Sequence, residues 1–154
     1  MEALDGRDLP ETGGYILLLR LKEFSEIQIG RLGVIRFDSG YYAYIGSAMK
    51  GLIQRISRHL RNEKKLHWHI DYLLKEATVE NVIVCQSHNK IECNIANEVG
   101  KEYKVINGFG SSDCRCPGHL YYSPSNFSNR IMSKLESADM RPQLITGSKD
   151  SGNQ

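Results

Sequence analysis

The segment G-Y-Y-A-Y-I-G-S-A at positions 40 to 48 puts three tyrosines on one short predicted strand that ends at a Gly-Ser pair. Alternation along a strand sends Tyr42 and Tyr44 to one side and Tyr41, Ala43 and Ile45 to the other, so two phenols stand together. Arg55 and His59 follow, four residues apart, a spacing that places both on one face of a helix. A guanidinium fork holds two phosphate oxygens, and a phenol or imidazole takes a proton from an attacking water. The set suits chemistry on a phosphodiester; the plainer alternative is that aromatic residues simply fit a half-buried strand. For His59 the choice lies between orienting a water or phosphate and being an exposed histidine beside Arg58.

Three further groups carry chemistry. Glu92 falls in line with Ile95, Ala96, Val99 and Tyr103 at helical spacing, whereas Glu98 and Glu102 do not. A carboxylate on a core-facing stripe needs a cation or hydrogen-bond donors; the alternative is a helix-N-terminal glutamate favoured by the dipole. Cys114, Cys116 and His119, in D-C-R-C-P-G-H, offer three soft ligands for a structural zinc. Without a second ligand pair at the spacing of zinc modules, buried thiols are the preferred reading. His67, His69 and Asp71 are either a proton-transfer or metal cluster or hydrogen-bonded structural groups.

The elements that must position these residues follow from periodicity and turn chemistry. Y-I-L-L-L-R-L at 15–21 predicts a continuous apolar strand, and 26–29 and 34–37 predict short strands around the turn G-R-L-G, giving an antiparallel meander into the tyrosine strand. Leu52, Ile56 and Leu60 mark a first helix from residue 51, and Ile70, Leu73, Leu74 and Ala77 a second. A strand at 79–85, a helix at 90–103, a Gly/Ser/Pro-rich loop at 107–118, a strand at 119–122 and a helix at about 125–135 complete the pattern. The expected fold class is α+β, a small antiparallel sheet flanked by helices, in one domain spanning 13–137, with residues 1–12 and 138–154 as disordered tails.

Composition excludes several classes. At 154 residues with 40% apolar and 25% charged side chains, the chain reads as one globular domain. No stretch approaches a membrane span, and the polar, acidic start is unlike a secretion signal, which places the chain in the cytoplasm. Four cysteines in that setting read as thiols or metal ligands. The net charge of +2 conceals a concentration: from Ser47 to Lys75 seven lysines and arginines face two acidic residues, a local balance of +5. Such a segment suits a polyanion-binding face or a solvated helix surface.

Taken together the motifs resemble the GIY-YIG nuclease superfamily. Tyr44-Ile45-Gly46 matches the second half of its signature, and Gly13-Gly14-Tyr15 the first half with Gly14 in place of isoleucine. The ordered set G-R-L-G, G-Y-Y-A-Y-I-G-S-A, R-H-L, H-W-H-I-D-Y-L-L and G-F-G-S-S-D-C-R-C-x-x-H-L is similar to the Uri-type subfamily over residues 13–122. By resemblance the catalytic residues are Tyr15, Tyr44 and Arg55, and the metal-binding residue is Glu92; the face His59 shares with Arg55 adds it as a further catalytic candidate. The implied reaction is endonucleolytic hydrolysis of DNA with one Mg²⁺ or Mn²⁺ ion and a tyrosine as general base. RNA is the alternative substrate, and a binding module without cleavage the alternative function. The basic segment nominates Lys50, Arg58, Arg61, Lys65, His67 and His69 as nucleic-acid contacts.

Overall fold

The computed structural model describes residues 9–111 and 114–145. The uninterrupted apolar run predicted for the first strand becomes β1 (Gly13–Leu21), and it is uninterrupted because both of its faces are covered. Antiparallel pairing joins β1 to β4 (Gly40–Ala48) on one side and to β5 (Thr78–Gln86) on the other. With β6 (Lys104–Val105), β7 (Leu120–Ser123) and β8 (Pro142–Ile145) the strands form a six-stranded sheet in the order β6-β7-β4-β1-β5-β8. The architecture is α+β, as the residue pattern predicts.

Side chains of odd number on β1 and even number on β4 point to one layer. There Tyr15, Leu17, Leu19, Tyr42 and Tyr44 pack with Leu52 and Ile56 of α1 (Leu52–Leu60), Ile70 and Leu73 of α2 (His69–Leu73), and Phe109. The opposite layer brings Ile16, Leu18, Ala43, Ile45 and Ile83 against Ile95 and Val99 of α3 (Glu92–Gly100) and Ile131 and Leu135 of α4 (Ser128–Ser137). Helices thus cover both faces, and the one-residue alternation of the tyrosine strand decides which layer each ring enters.

Three expectations are corrected. The strands β2 (Ser25–Ile29) and β3 (Gly33–Phe37) pair only with each other, so the meander is instead a separate hairpin inserted between β1 and β4. The second helix closes after Leu73 and continues as turns to Ala77. The tails are also shorter than expected. Leu9 packs on the core, and the Glu11 carbonyl accepts from the Leu52 N–H at 3.1 Å. At the other end, residues 142–145 pair with β5 at the sheet edge, where Ile145 supplies a buried apolar side chain that the polar tail composition hides. Residues 1–8 and 146–154, where disorder was expected, lie outside the described residues. No helix among the described residues is long and apolar enough to cross a membrane.

Candidate functional site

Five of the residues singled out for chemistry, Tyr15, Tyr44, Arg55, His59 and Glu92, meet at one end of the central strands. In the β1–β4 register Tyr15 lies opposite Gly46 and Leu17 opposite Tyr44, which sets the two phenols diagonally on the same face with ring centroids 6.5 Å apart. From α1, His59 reaches back so that its Nε2 is 2.7 Å from the Tyr15 hydroxyl. The Tyr44 and His59 rings lie 6.0 Å apart, edge to face. One turn earlier on the same helix, Arg55 donates from Nη1 to the Ser47 carbonyl at 2.9 Å. The Ser47 hydroxyl in turn donates to Oε1 of Glu92, on the first turn of α3. Ser47 is thus the link between arginine and carboxylate, a role nothing in its neighbourhood along the chain signals.

Burial divides the group into a dry interior and an accessible rim. Tyr15 and His59 are each 2% exposed and Tyr44 8%, whereas Arg55 and Glu92 are half-buried. Desolvation holds both phenols well above the ordinary tyrosine pKa; Tyr44 and Glu92 reinforce the shift on Tyr15, and Arg55 opposes it. Burial, helped by Arg58, Arg55 and Lys64 against Asp71, lowers His59 to about 3. At neutral pH the three rings are therefore uncharged. His59 Nδ1 is buried and has no hydrogen-bond partner among the described residues. Glu92 has no cationic side chain within ion-pair distance among the described residues, so the half-buried side chain and the Ser47 hydroxyl leave two oxygen donors side by side, the donor type that hard divalent cations take.

The basic segment is less uniform than its charge suggests. Lys50, Arg61, Lys65 and His67 are exposed. Arg58 is not available in the same way: it forks onto buried Asp71 (Nη1–Oδ1 3.0 Å, Nη2–Oδ2 3.1 Å) and donates to the Lys65 carbonyl at 2.8 Å. This ion pair joins α1 to α2. Asp71 also accepts from the backbone N–H groups of His67 and Trp68, each at 2.8 Å. Burial alone would raise its pKa; Arg58 and these donors prevail and hold it below the carboxylate range. His69 likewise turns inward, its Nδ1 accepting from the Gly110 N–H at 2.9 Å and its ring set edge-on to Phe109. Asp71 and His69 both make hydrogen bonds that hold neighbouring elements, as the structural reading of this group expects. Trp68, unremarked in the sequence, carries the guanidinium groups of both Arg55 (5.0 Å) and Arg58 (4.5 Å) over its ring and so orients the arginine at the rim.

A second cluster lies nearby. Cys114, Cys116 and His119 converge with Cys93, the residue after Glu92, and the four donor atoms all lie within 4.8 Å of one another. Cys93 is the member of this cluster that the sequence reading missed; its only sequence signal is a cysteine at a helix start. Burial and the neighbouring thiols push Cys93 up to about 12, and Cys116 is raised as well.

Fold and site define an α+β domain with a tyrosine, histidine and arginine centre at one end of an antiparallel sheet. The chain belongs to the family described as Domain of unknown function DUF123, whose model matches residues 14–140. No curated protein and no solved structure matches it.

Proposed function

We propose that this chain is a metal-dependent endonuclease of GIY-YIG type, Uri subfamily, that hydrolyses phosphodiester bonds in DNA. The observation that carries the reading is the convergence of Tyr15, Tyr44, His59, Arg55 and Glu92, drawn from four separate elements, on the end of β4. Structural packing alone gives no reason for a buried phenol–imidazole pair to adjoin an arginine and a carboxylate that has no cationic partner.

In this reading Arg55, already oriented by Trp68 and the Ser47 carbonyl, clamps the non-bridging oxygens of the phosphate. Burial holds the Tyr15 phenol well above its ordinary pKa, so the ring starts as a neutral phenol at pH 7. It works as a relay, taking a proton from the attacking water while passing its own to His59 Nε2, 2.7 Å away. The water oxygen bonds to phosphorus, the bond to the leaving oxygen breaks, that oxygen takes a proton from solvent, and His59, whose charged form burial disfavours, gives the relayed proton back to solvent to close the cycle. Glu92 and the Ser47 hydroxyl would hold the Mg²⁺ or Mn²⁺ ion, which when bound supplies Lewis-acid stabilisation of the phosphate and leaving oxygen. Exposed Lys50, Arg61 and Lys65 are the side chains free to meet the nucleic-acid backbone.

A second reading has its own observation. With Tyr15 and Tyr44 so little exposed, the domain also suits a module that binds DNA or RNA through Arg55 and the exposed lysines without cutting it. Incubation of the protein with single-stranded, duplex, flapped and branched DNA and with RNA, in Mg²⁺ and in Mn²⁺, separates the two. Cleavage that disappears in Glu92→Gln while binding persists supports the nuclease. Binding without cleavage on every substrate favours the module, and absence of both defeats the two readings together.

A further inference from the structure

Outside the tyrosine centre, four soft ligands come together from two distant parts of the chain, and the function above makes no use of them. We propose that Cys93, Cys114, Cys116 and His119 bind one Zn²⁺ ion in a closed, four-coordinate site that fastens the 106–119 loop to the start of α3.

The donor set is the first argument. Three cysteine sulfurs and one imidazole nitrogen are a recognised ligand set for structural zinc, and four protein ligands leave no open position for water or substrate. Geometry is the second. A tetrahedral ion with the usual zinc–sulfur and zinc–nitrogen bond lengths has sulfur–nitrogen edges of about 3.6 Å. Here the Sγ atoms of Cys114 and Cys93 stand 3.4 and 3.8 Å from His119 Nε2. All four cysteines of the chain are free thiols.

The surroundings fit the same role. His119 is fixed at its backbone, which donates to the Phe109 carbonyl at 2.7 Å and accepts from the Ile45 N–H at 2.9 Å, so the residue stands beside the cysteines before any ion arrives. Cys93 and Cys116 border a surface hollow of about 620 Å³ that also touches Asn94, Asn97 and Arg115, which gives the ion a route from solvent. The described residues between β6 and β7 form no strand or helix, yet they must hold Phe109 in the core and Gly110 against Tyr44. A metal clip is one of the few ways to order so long an irregular segment. Loading displaces the three thiol protons to solvent, and the dication then offsets the thiolate charge.

The test uses the full chain purified under reducing conditions, without nucleic acid, so its outcome is separable from that of the nuclease reading. Metal analysis should find one zinc per chain. Exchange for Co²⁺ should give the thiolate-to-cobalt charge-transfer band and the strong visible bands of a tetrahedral sulfur-rich site. Cys93→Ser should weaken zinc binding at least tenfold, whereas Cys85→Ala, a buried cysteine on β5 away from the cluster, should leave the stoichiometry at one. Should either variant fail to fold, chelator titration of the parent chain decides: the melting temperature should fall as zinc is withdrawn and recover when zinc is restored. A chain that retains no zinc under these conditions, cysteines recovered as a disulfide, an iron–sulfur chromophore, or a folded Cys93→Ser chain with parental affinity would each overturn the site.

Discussion

Tyr15 can reach His59 because residue 46 has no side chain. A Cβ there would stand 2.5 Å from the Tyr15 hydroxyl oxygen and 2.6 Å from Cζ, since the ring lies across the β4 backbone at its paired position. Gly46→Ala should therefore cost about 1–3 kcal/mol by overpacking and displace the phenol from His59. In a Tyr15→Ala background the obstructing ring is gone, and the same substitution should cost close to nothing. A double-mutant cycle by urea unfolding checks this, and additive penalties would reject the ring-over-glycine arrangement. The motif Tyr44-Ile45-Gly46 was legible in the sequence, and so was the shared face of Arg55 and His59, because both depend on local period. The hydrogen bond between Tyr15 and His59 was not, nor was the link through Ser47 to Glu92 or the arrival of Cys93 at the Cys114–His119 cluster. Each joins residues many positions apart, whose meeting is decided by strand register and helix docking.

Among the elements, α1 and α2 are held together by one charged junction. Buried Asp71 receives both guanidinium nitrogens of Arg58 and two backbone N–H groups, and Trp68 lies beneath Arg58 and Arg55. Asp71→Ala leaves the Arg58 charge without its partner and two backbone donors unsatisfied, a loss on the order of 3 kcal/mol. Denaturant unfolding should register it, and because Trp68 and Arg55 belong to the same stack, its tryptophan fluorescence in the native state should shift too. Stability within a few tenths of a kcal/mol of the parent would mean that the junction does little. Helical period located α1 and the start of α2, but charge counting alone gives no sign of the Arg58–Asp71 pair. The acidic partner that claims Arg58 lies thirteen residues on and is visible only after α2 packs. The inserted hairpin was misplaced for a related reason: short strands of suitable composition announce that they pair, while their partner is settled by the longer β1, β4 and β5.

The molecule as a whole should be acid-sensitive, with two buried groups acting in different windows. His59 has a folded pKa of about 3, below the ordinary 6.5, because burial and the charges of Arg58, Arg55 and Lys64 outweigh Asp71. Above pH 6.5 the ring is neutral in both states and contributes no dependence. Below it the unfolded chain takes up a proton that the folded chain refuses, so stability falls with acid by up to about 1.4 kcal/mol per pH unit. That loss continues toward pH 3. Asp71, held below the carboxylate range, contributes stability that is complete above its ordinary pKa and is lost only as pH falls through the lowered folded value. The interval from pH 6.5 to 4.5 therefore isolates histidine. Burial also lowers His69 and His119, so some slope remains when His59 is removed. Melting temperatures of the parent and of His59→Phe, recorded across that interval, make the comparison. The variant starts from a lower plateau because the Tyr15 hydroxyl loses its acceptor, yet its curve should be distinctly flatter. If the two curves run parallel, the imidazole is not the neutral, buried proton acceptor that the relay from Tyr15 requires.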